Sequence, residues 1–380
     1  MKRKIIRIAT VPQSLDLLLR GQLKMLSERY EVVAVSSPGE NLDEVARREG
    51  VRTVAVPMER HIAPLKDLVS LFRLIRLFRK EKPWMVHSIT PKAGLLAMMA
   101  ARICGVPVRI HMFTGLVFPT SKGLKRRILM TTDRLTCACA TLVNPEGQGV
   151  KRDLERFHIT SKPMRIIGNG NINGIDTAYF DRTEAVCREA EMICEQGLTF
   201  CFVGRIVGDK GINELVAAFL RLYALRPAVR LLLVGSFEDR LDPVSPDTKV
   251  MIMKHPAIRF VGWQDDIRPY LAASDVFVFP SYREGFPNVV LQAGAMGLPC
   301  IVTDINGCNE IIRHGVNGLI IPPRDEQALY GAMERLATDE QERNRMARQA
   351  RPAVADRYER RELWEKLLET YEELAAASSC

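Results

Sequence analysis

The chain has 380 residues, enough for about two domains, with 54 Lys and Arg against 45 Asp and Glu and a net charge of +9. Hydrophobic residues at 47% and charged residues at 26% fit a folded globular protein and exclude a disordered, collagen-like or disulfide-scaffold chain. No run approaches the ~20 apolar residues of a membrane-spanning helix, and the opening MKRKIIRIATV reads as a first buried strand rather than a signal peptide.

In chain order, short apolar or β-branched runs predict strands over Ile5–Ala9, Val32–Ser36, Val51–Val56, Met85–Ser88, Val108–Met112 and Thr141–Asn144. A Gly/Asn-rich stretch, 168–174, must be a loop, and a charged helical pattern follows it. A second set of strands is predicted over Leu198–Val203, Arg230–Val234, Ile258–Val261, Val276–Phe279, Cys300–Thr303 and Leu319–Ile321. Several runs are apolar throughout, as parallel strands covered on both faces must be, and helical patterns lie between many of them. The pattern is a doubly wound α/β sheet, twice over. The expected domains are 1–183 and 184–359. A terminal helix, 360–380, carries Trp364, Leu367, Leu368 and Tyr371 at helical spacing and is expected to pack back on the first domain.

Charge divides unevenly between the halves. Residues 1–180 hold 30 Lys and Arg against 15 Asp and Glu; the remainder holds 24 against 30. A basic first half suits anionic lipid or phosphate, or is simply a solvated basic surface. The nine cysteines, with the lone Cys137-x-Cys139 and Cys380 last, are odd in number and lack a CxxC pair, so they read as reduced core thiols.

Ligands of open α/β sheets bind at the carboxyl ends of strands, so the residues that follow each strand carry the functional reading. Gly204-Arg205-Ile206-Val207-Gly208-Asp209-Lys210-Gly211 places two cations on a glycine-containing loop before a helix. Such a pair suits a diphosphate, and reads equally as a βα turn with two solvated cations. Pro280 to Ala293 holds the Glu284-Gly285 turn and a helix opening near Pro287. The N–H groups of Asn288, Val289 and Val290 would face an anion with the helix dipole behind them; the plainer reading is a capped helix start with Glu284 in solvent.

The run SYREGFPNVVLQAGAMGLPCIVTDINGCNEII resembles the signature of retaining GT-B glycosyltransferases of family four, and VGRIVGDKG resembles that family's Arg/Lys phosphate loop. Asp265-Asp266 with Tyr270, Ser274 and Asp275, and Asn317-Gly318, fit the same pattern. RIHMFTGLVFPTSKGLKR and GNGNINGIDTAYF resemble members that assemble capsule and O-antigen glycans on a lipid carrier. The resemblance implies a GT-B fold, two Rossmann-like doubly wound domains facing across a cleft, with the acceptor on the first and the nucleotide-sugar on the second. It implies that Arg205 and Lys210 neutralise the donor diphosphate beside Gly204, and that Glu284 contacts hydroxyls of the donor sugar. Backbone N–H groups around Gly285, Phe286, Asn288 and Val289 would cradle the phosphates. Where the family usually has a second Glu, bonding the ribose, this chain has Gln292, which keeps an acceptor oxygen and loses the charge. Where many relatives have a His before the glycine of the loop at Gly115, this chain has Thr114. His111 is then the candidate for the catalytic cleft, or a satisfied core histidine.

The activity implied is metal-independent transfer of a sugar, with retention, from a nucleotide diphosphate, in the first place UDP. The acceptor would be a polyprenyl-diphosphate-linked glycan. No cofactor is expected beyond the nucleotide-sugar co-substrate. The basic clusters of the helical pattern Leu65–Lys82 and of Lys122, Lys125, Arg126 and Arg127 suit an anionic membrane surface, and the enzyme is expected in the cytoplasm, peripheral on the inner face of the membrane. No nucleic-acid recognition motif is present. Two other readings fit the same architecture: a sugar-nucleotide epimerase, and a catalytically inactive transferase-like partner.

Overall fold

Twelve short strands fall into two sheets of six in the computed structural model, which describes residues 2–59, 61, 63–194, 196–239 and 242–378. The first sheet holds β1 (Lys4–Ile8), β2 (Glu31–Ser36), β3 (Arg52–Ala55), β4 (Met85–Ser88), β5 (Val108–Phe113) and β6 (Leu142–Pro145), in the order β3-β2-β1-β4-β5-β6. The second holds β7 (Thr199–Val203), β8 (Arg230–Val234), β9 (Ile258–Phe260), β10 (Val276–Phe279), β11 (Cys300–Thr303) and β12 (Gly318–Ile321), in the order β12-β11-β10-β7-β8-β9. Every strand pair is parallel. Each of the twelve strands expected from the sequence is present, within a residue or so at its ends. Both sheets have the doubly wound Rossmann order.

The all-apolar strands follow from burial on both faces. Along β1 and β2, Ile6, Ile8, Val33 and Val35 enter one core cluster, while Ile5, Val32 and Ala34 enter the cluster on the other face. In the second unit the sheet and its helices share a single core built on residues such as Phe200, Phe202, Phe277 and Phe279.

The chain divides into two units, Met1–Asn173 with Arg361–Cys380, and Gly174–Arg360. The terminal helix Arg360–Ala377 joins the first unit because Leu363, Leu367 and Tyr371 complete one face of its core. The Tyr371 hydroxyl lies 2.6 Å from His87 Nδ1 and accepts from the buried Arg7 guanidinium at 3.0 Å. Residues 174–183 fasten to the second unit. The Ile175 N–H donates to the Tyr358 carbonyl at 2.8 Å, and Arg351 donates to the carbonyls of Thr177 and Phe180, both at 2.8 Å.

The eight cysteines of the described residues are free thiols. Cys137, Cys139, Cys201, Cys300 and Cys308 are core residues as expected; Cys104 and Cys187 are half-buried and Cys194 is exposed, at the end of a helix rather than in a strand. Cys380 lies outside the described residues. No helix among the described residues is long and apolar enough to cross a membrane.

Candidate active site

In the second unit β7 and β10 are neighbours whose connections leave in opposite directions, to β8 on one side and β11 on the other. That divergence opens a crevice at their carboxyl ends. Three loops meet there, 204–211 after β7, 280–287 after β10 and 304–307 after β11.

Two glycines let these loops touch. Gly211 has φ +70°, and a Cβ there would stand 2.2 Å from the Pro280 carbonyl oxygen. Gly307 has φ +75°, and its Cβ would lie 2.6 Å from both the Gly285 carbonyl oxygen and Phe286 Cα. Any other side chain at either position would be strained and would push the loops apart.

The contact that results is an ion pair across loops. The Lys210 ammonium is bonded to the Glu284 carboxylate, and the two side chains are only 14% and 17% exposed. The buried Ser281 hydroxyl donates to the same carboxylate at 2.7 Å. The Lys210 Nζ stands 5.1 Å from the centre of the Phe279 ring, a cation–π contact at the strand end. Around this pair, the Tyr282 N–H donates to the Asp209 carbonyl at 2.9 Å, and the Tyr282 hydroxyl donates to Glu214. Burial, with the carboxylate of Glu214 beside it, pushes the Tyr282 hydroxyl well above its usual range.

Gly204 opens the first loop at the end of β7. Arg205 is exposed and donates to Glu238 at 2.8 Å, so it does not share the Lys210–Glu284 pair. Gly285 and Phe286 are buried, the Phe286 ring standing edge-on to Tyr358 at 5.4 Å. The helix after the turn is Asn288–Ala295. Pro287 is its N-cap residue, one position before the first-turn place expected for it. Asn288 and Val289 form the first turn, and Gln292 lies half-buried one turn further in. Among the described residues, no hydrogen bond engages the Gln292 amide. Asp275 and Asn317, which carry the resemblance, fasten the fold instead: Asp275 accepts from the Thr199 N–H at 2.8 Å and Asn317 from the Arg313 N–H at 2.7 Å.

His111 lies on β5 of the first unit. It is 1% exposed, its Nδ1 lies 2.8 Å from the Ser88 hydroxyl, and its ring packs edge-on to Phe113. Burial pushes it down to about 3, so the ring is neutral. The corresponding crevice of the first unit, at the ends of β1 and β4, is closed by its own hydroxyls. Thr10 and Thr90 bond each other at 2.8 Å, and the Thr10 hydroxyl accepts the Ala93 N–H at the start of helix Pro91–Ile103. One N–H of that helix start is therefore already served within the chain. Ser281 and Phe279 also belong to the Lys210–Glu284 group, and their sequence signal is their place at the end of β10, three and five residues before Glu284. Among the described residues no group of three His, Cys, Asp or Glu has the arrangement to hold a metal ion.

Residues 197–339 match the family model "Glycosyl transferases group 1" and residues 19–170 match "Glycosyl transferase 4-like domain". The capsular polysaccharide biosynthesis glycosyltransferase CapM of Staphylococcus aureus is 32% identical, over 97% of this chain and 97% of its own length. This chain is a GT-B glycosyltransferase of group 1. A second relative is the Escherichia coli UDP-Gal:alpha-D-GlcNAc-diphosphoundecaprenol alpha-1,3-galactosyltransferase, 30% identical over 81% of this chain and 80% of its own. The fold is shared with the Anabaena protein Alr3699/HepE, solved with UDP and glucose, at a TM-score of 0.82 and 18% identity over 98% of this chain and 100% of that one. The glycosyltransferase thus has the two Rossmann-like units that its sequence pattern implied.

Proposed function

We propose that the enzyme transfers a sugar, with retention and without a metal, from a UDP-sugar to a polyprenyl-diphosphate-linked glycan of surface polysaccharide synthesis. The observation that carries this reading is the Lys210–Glu284 pair at the mouth of the β7/β10 crevice. An ammonium has three donors, so Lys210 keeps two for phosphate oxygens after bonding Glu284. Arg205 is held by an exposed ion pair worth at most about 1 kcal/mol, and so swings onto the diphosphate at little cost. The first turn of helix Asn288–Ala295, with the backbone N–H groups of Gly285, Phe286, Asn288 and Val289, completes the grip on the leaving phosphates. Gly204 lets the diphosphate approach the backbone. As the sugar–phosphate bond breaks, negative charge grows on the nucleotide diphosphate, and these groups would stabilise it. Glu284, anchored by Lys210 and Ser281, holds donor-sugar hydroxyls, and Gln292 bonds the ribose. His111 serves in this reading as a core histidine of β5.

The donor and acceptor classes are supported by the Escherichia coli relative, whose name specifies UDP-galactose and a diphosphoundecaprenol-linked sugar. A lipid-linked acceptor puts the enzyme at the inner face of an anionic membrane, in the cytoplasm. The test is nucleotide release with a UDP-sugar panel and a lipid-linked acceptor, for the wild type, Lys210→Ala and Glu284→Ala. Both variants should lose turnover; unchanged turnover in both would falsify the site assignment.

A further inference from the structure

Helix Pro64–Glu81 has two apolar stripes, and only one of them is used inside the protein. Leu74 and Phe78 are buried in the core, with Leu71 and Ile75 packed against it. Leu65, Leu68, Val69 and Phe72 lie outside, with Leu65 83% and Phe72 62% exposed. At 100° per residue these four fall in the same sector, about 140° wide, as Arg73, Arg76, Arg79 and Lys80. The outer face therefore changes character along the axis: two turns of large apolar side chains, then two turns of exposed cations.

Its acidic residues do not offset those cations. Asp67 is paired with Lys92 at 2.7 Å, and Glu81 is buried between Lys4 and Arg52. Helix Gly123–Cys139, which packs with Pro64–Glu81 against helix Pro91–Ile103, repeats the theme: Leu124 is 73% and Ile128 40% exposed, beside exposed Lys125 and Arg127. Both helices follow strands of a parallel sheet, so both apolar starts lie at the carboxyl edge of that sheet.

We infer that this face docks on a bilayer of anionic lipid, with Leu65, Leu68, Val69, Phe72, Leu124 and Ile128 entering the interface and the cationic turns lying on the headgroups. A second copy is a poorer occupant, since a two-fold contact sets the arginine row either against its own copy or against the apolar turns, and neither arrangement supplies a counter-charge. The inference rests on the proposed lipid-linked acceptor and names the surface that brings the enzyme to it.

The experiment is co-sedimentation of the full chain with phosphatidylglycerol/phosphatidylethanolamine vesicles and with pure phosphatidylcholine vesicles, at 0.1 and 0.5 M NaCl. The wild type should bind the anionic vesicles and be weakened by salt. Arg73→Gln/Arg76→Gln should weaken binding about 25-fold, at about fivefold per charge. Leu68→Ser/Phe72→Ser should weaken it by on the order of tenfold or more at both salt concentrations. Both pairs are exposed, and unchanged thermal unfolding confirms that the variants fold. Equal vesicle binding by wild type and variants, no binding by the wild type, or a dimer in sedimentation velocity that only the Ser variant disperses, overturns the inference. Transfer to detergent-dispersed acceptor tests the catalytic reading separately, because it needs no bilayer and both variants should retain it.

Discussion

Replacing Lys210 by Met removes one charge and keeps an unbranched side chain one atom shorter, so its effects on folding and on catalysis can be separated. In the folded protein the substitution leaves Glu284, 17% exposed, with the Ser281 hydroxyl as its one side-chain donor among the described residues. Breaking a buried ion pair costs about 3–5 kcal/mol, and the retained 2.7 Å bond to Ser281 points to the lower end, about 3 kcal/mol. The catalytic loss has a different origin. On the proposed reading Lys210 is a preorganised positive charge for the leaving phosphate, and losing one such donor costs about 3–4 kcal/mol of transition-state stabilisation, roughly a 10²–10³-fold fall in kcat. The two effects part company in the double variant Lys210→Met/Glu284→Gln. A neutral amide no longer suffers as an orphaned carboxylate, so most of the lost unfolding temperature should return while turnover stays low. The assays are thermal unfolding and UDP release with saturating acceptor. A folded Lys210→Met enzyme that keeps turnover within threefold of wild type refutes the placement of the diphosphate at this loop.

Ser281→Ala removes the hydroxyl that orients Glu284, a bond to a charged acceptor worth about 1.5–3 kcal/mol, so kcat should fall roughly 10–100-fold with little change in UDP affinity by calorimetry. Gln292→Glu restores a charged acceptor toward the ribose and should tighten UDP about fivefold, the difference of about 1 kcal/mol between neutral and charged hydrogen bonds; weaker binding means that Gln292 does not face the ribose. Tyr371→Phe strips the buried Arg7 and His87 of their shared hydroxyl and should destabilise the fold by about 2–3 kcal/mol, read as the denaturant midpoint, without altering UDP binding. Stability should also depend on pH. His87 and His111 are held neutral by burial, so below about pH 6.5 only the unfolded chain gains their protons, and each costs about 1.4 kcal/mol per pH unit. Asp133, pushed up to about 7 by burial, takes its proton in the folded state first and offsets one histidine. Wild-type stability should therefore fall as pH drops from 6.5 to 4.5, and Asp133→Asn should fall about twice as steeply; equal slopes would remove Asp133 from the account.

The fold was readable because its strands are apolar on both faces, a pattern that survives without knowledge of their neighbours. Leu231–Val234 and Val276–Phe279 announce themselves residue by residue. The site was readable only as separate pieces. Nothing in the spacing of Lys210 and Glu284, 74 residues apart, says that they bond. That depends on β7 and β10 being neighbours and on Gly211 and Gly307 letting three loops close up. The sequence of helix Pro64–Glu81 likewise does not say which apolar side goes inward, because two stripes satisfy the same 3.6-residue repeat. Packing decided that Leu74 and Phe78 go inward and that Leu68 and Phe72 stay out.

The two sheets pose the sharper problem, since the same strand order offers a crevice in each unit and the strand pattern cannot tell them apart. The loops that leave the central strands do. In the first unit Thr10 and Thr90 spend their hydroxyls on each other and on the Ala93 N–H, and the strand ends beneath carry neutral, buried His87 and His111. In the second unit the equivalent loops carry Lys210 and Arg205, whose partners are carboxylates on the loops rather than the helix start itself. On the proposed reading an anionic diphosphate goes to the unit whose loop cations can still turn toward it. Exchanging Thr10 for Gly would open the first crevice, but the cation at its helix start, Lys92, stays paired with Asp67, so the variant should create no second UDP site; calorimetry returning two sites would show that loop closure, rather than charge, selects the donor unit.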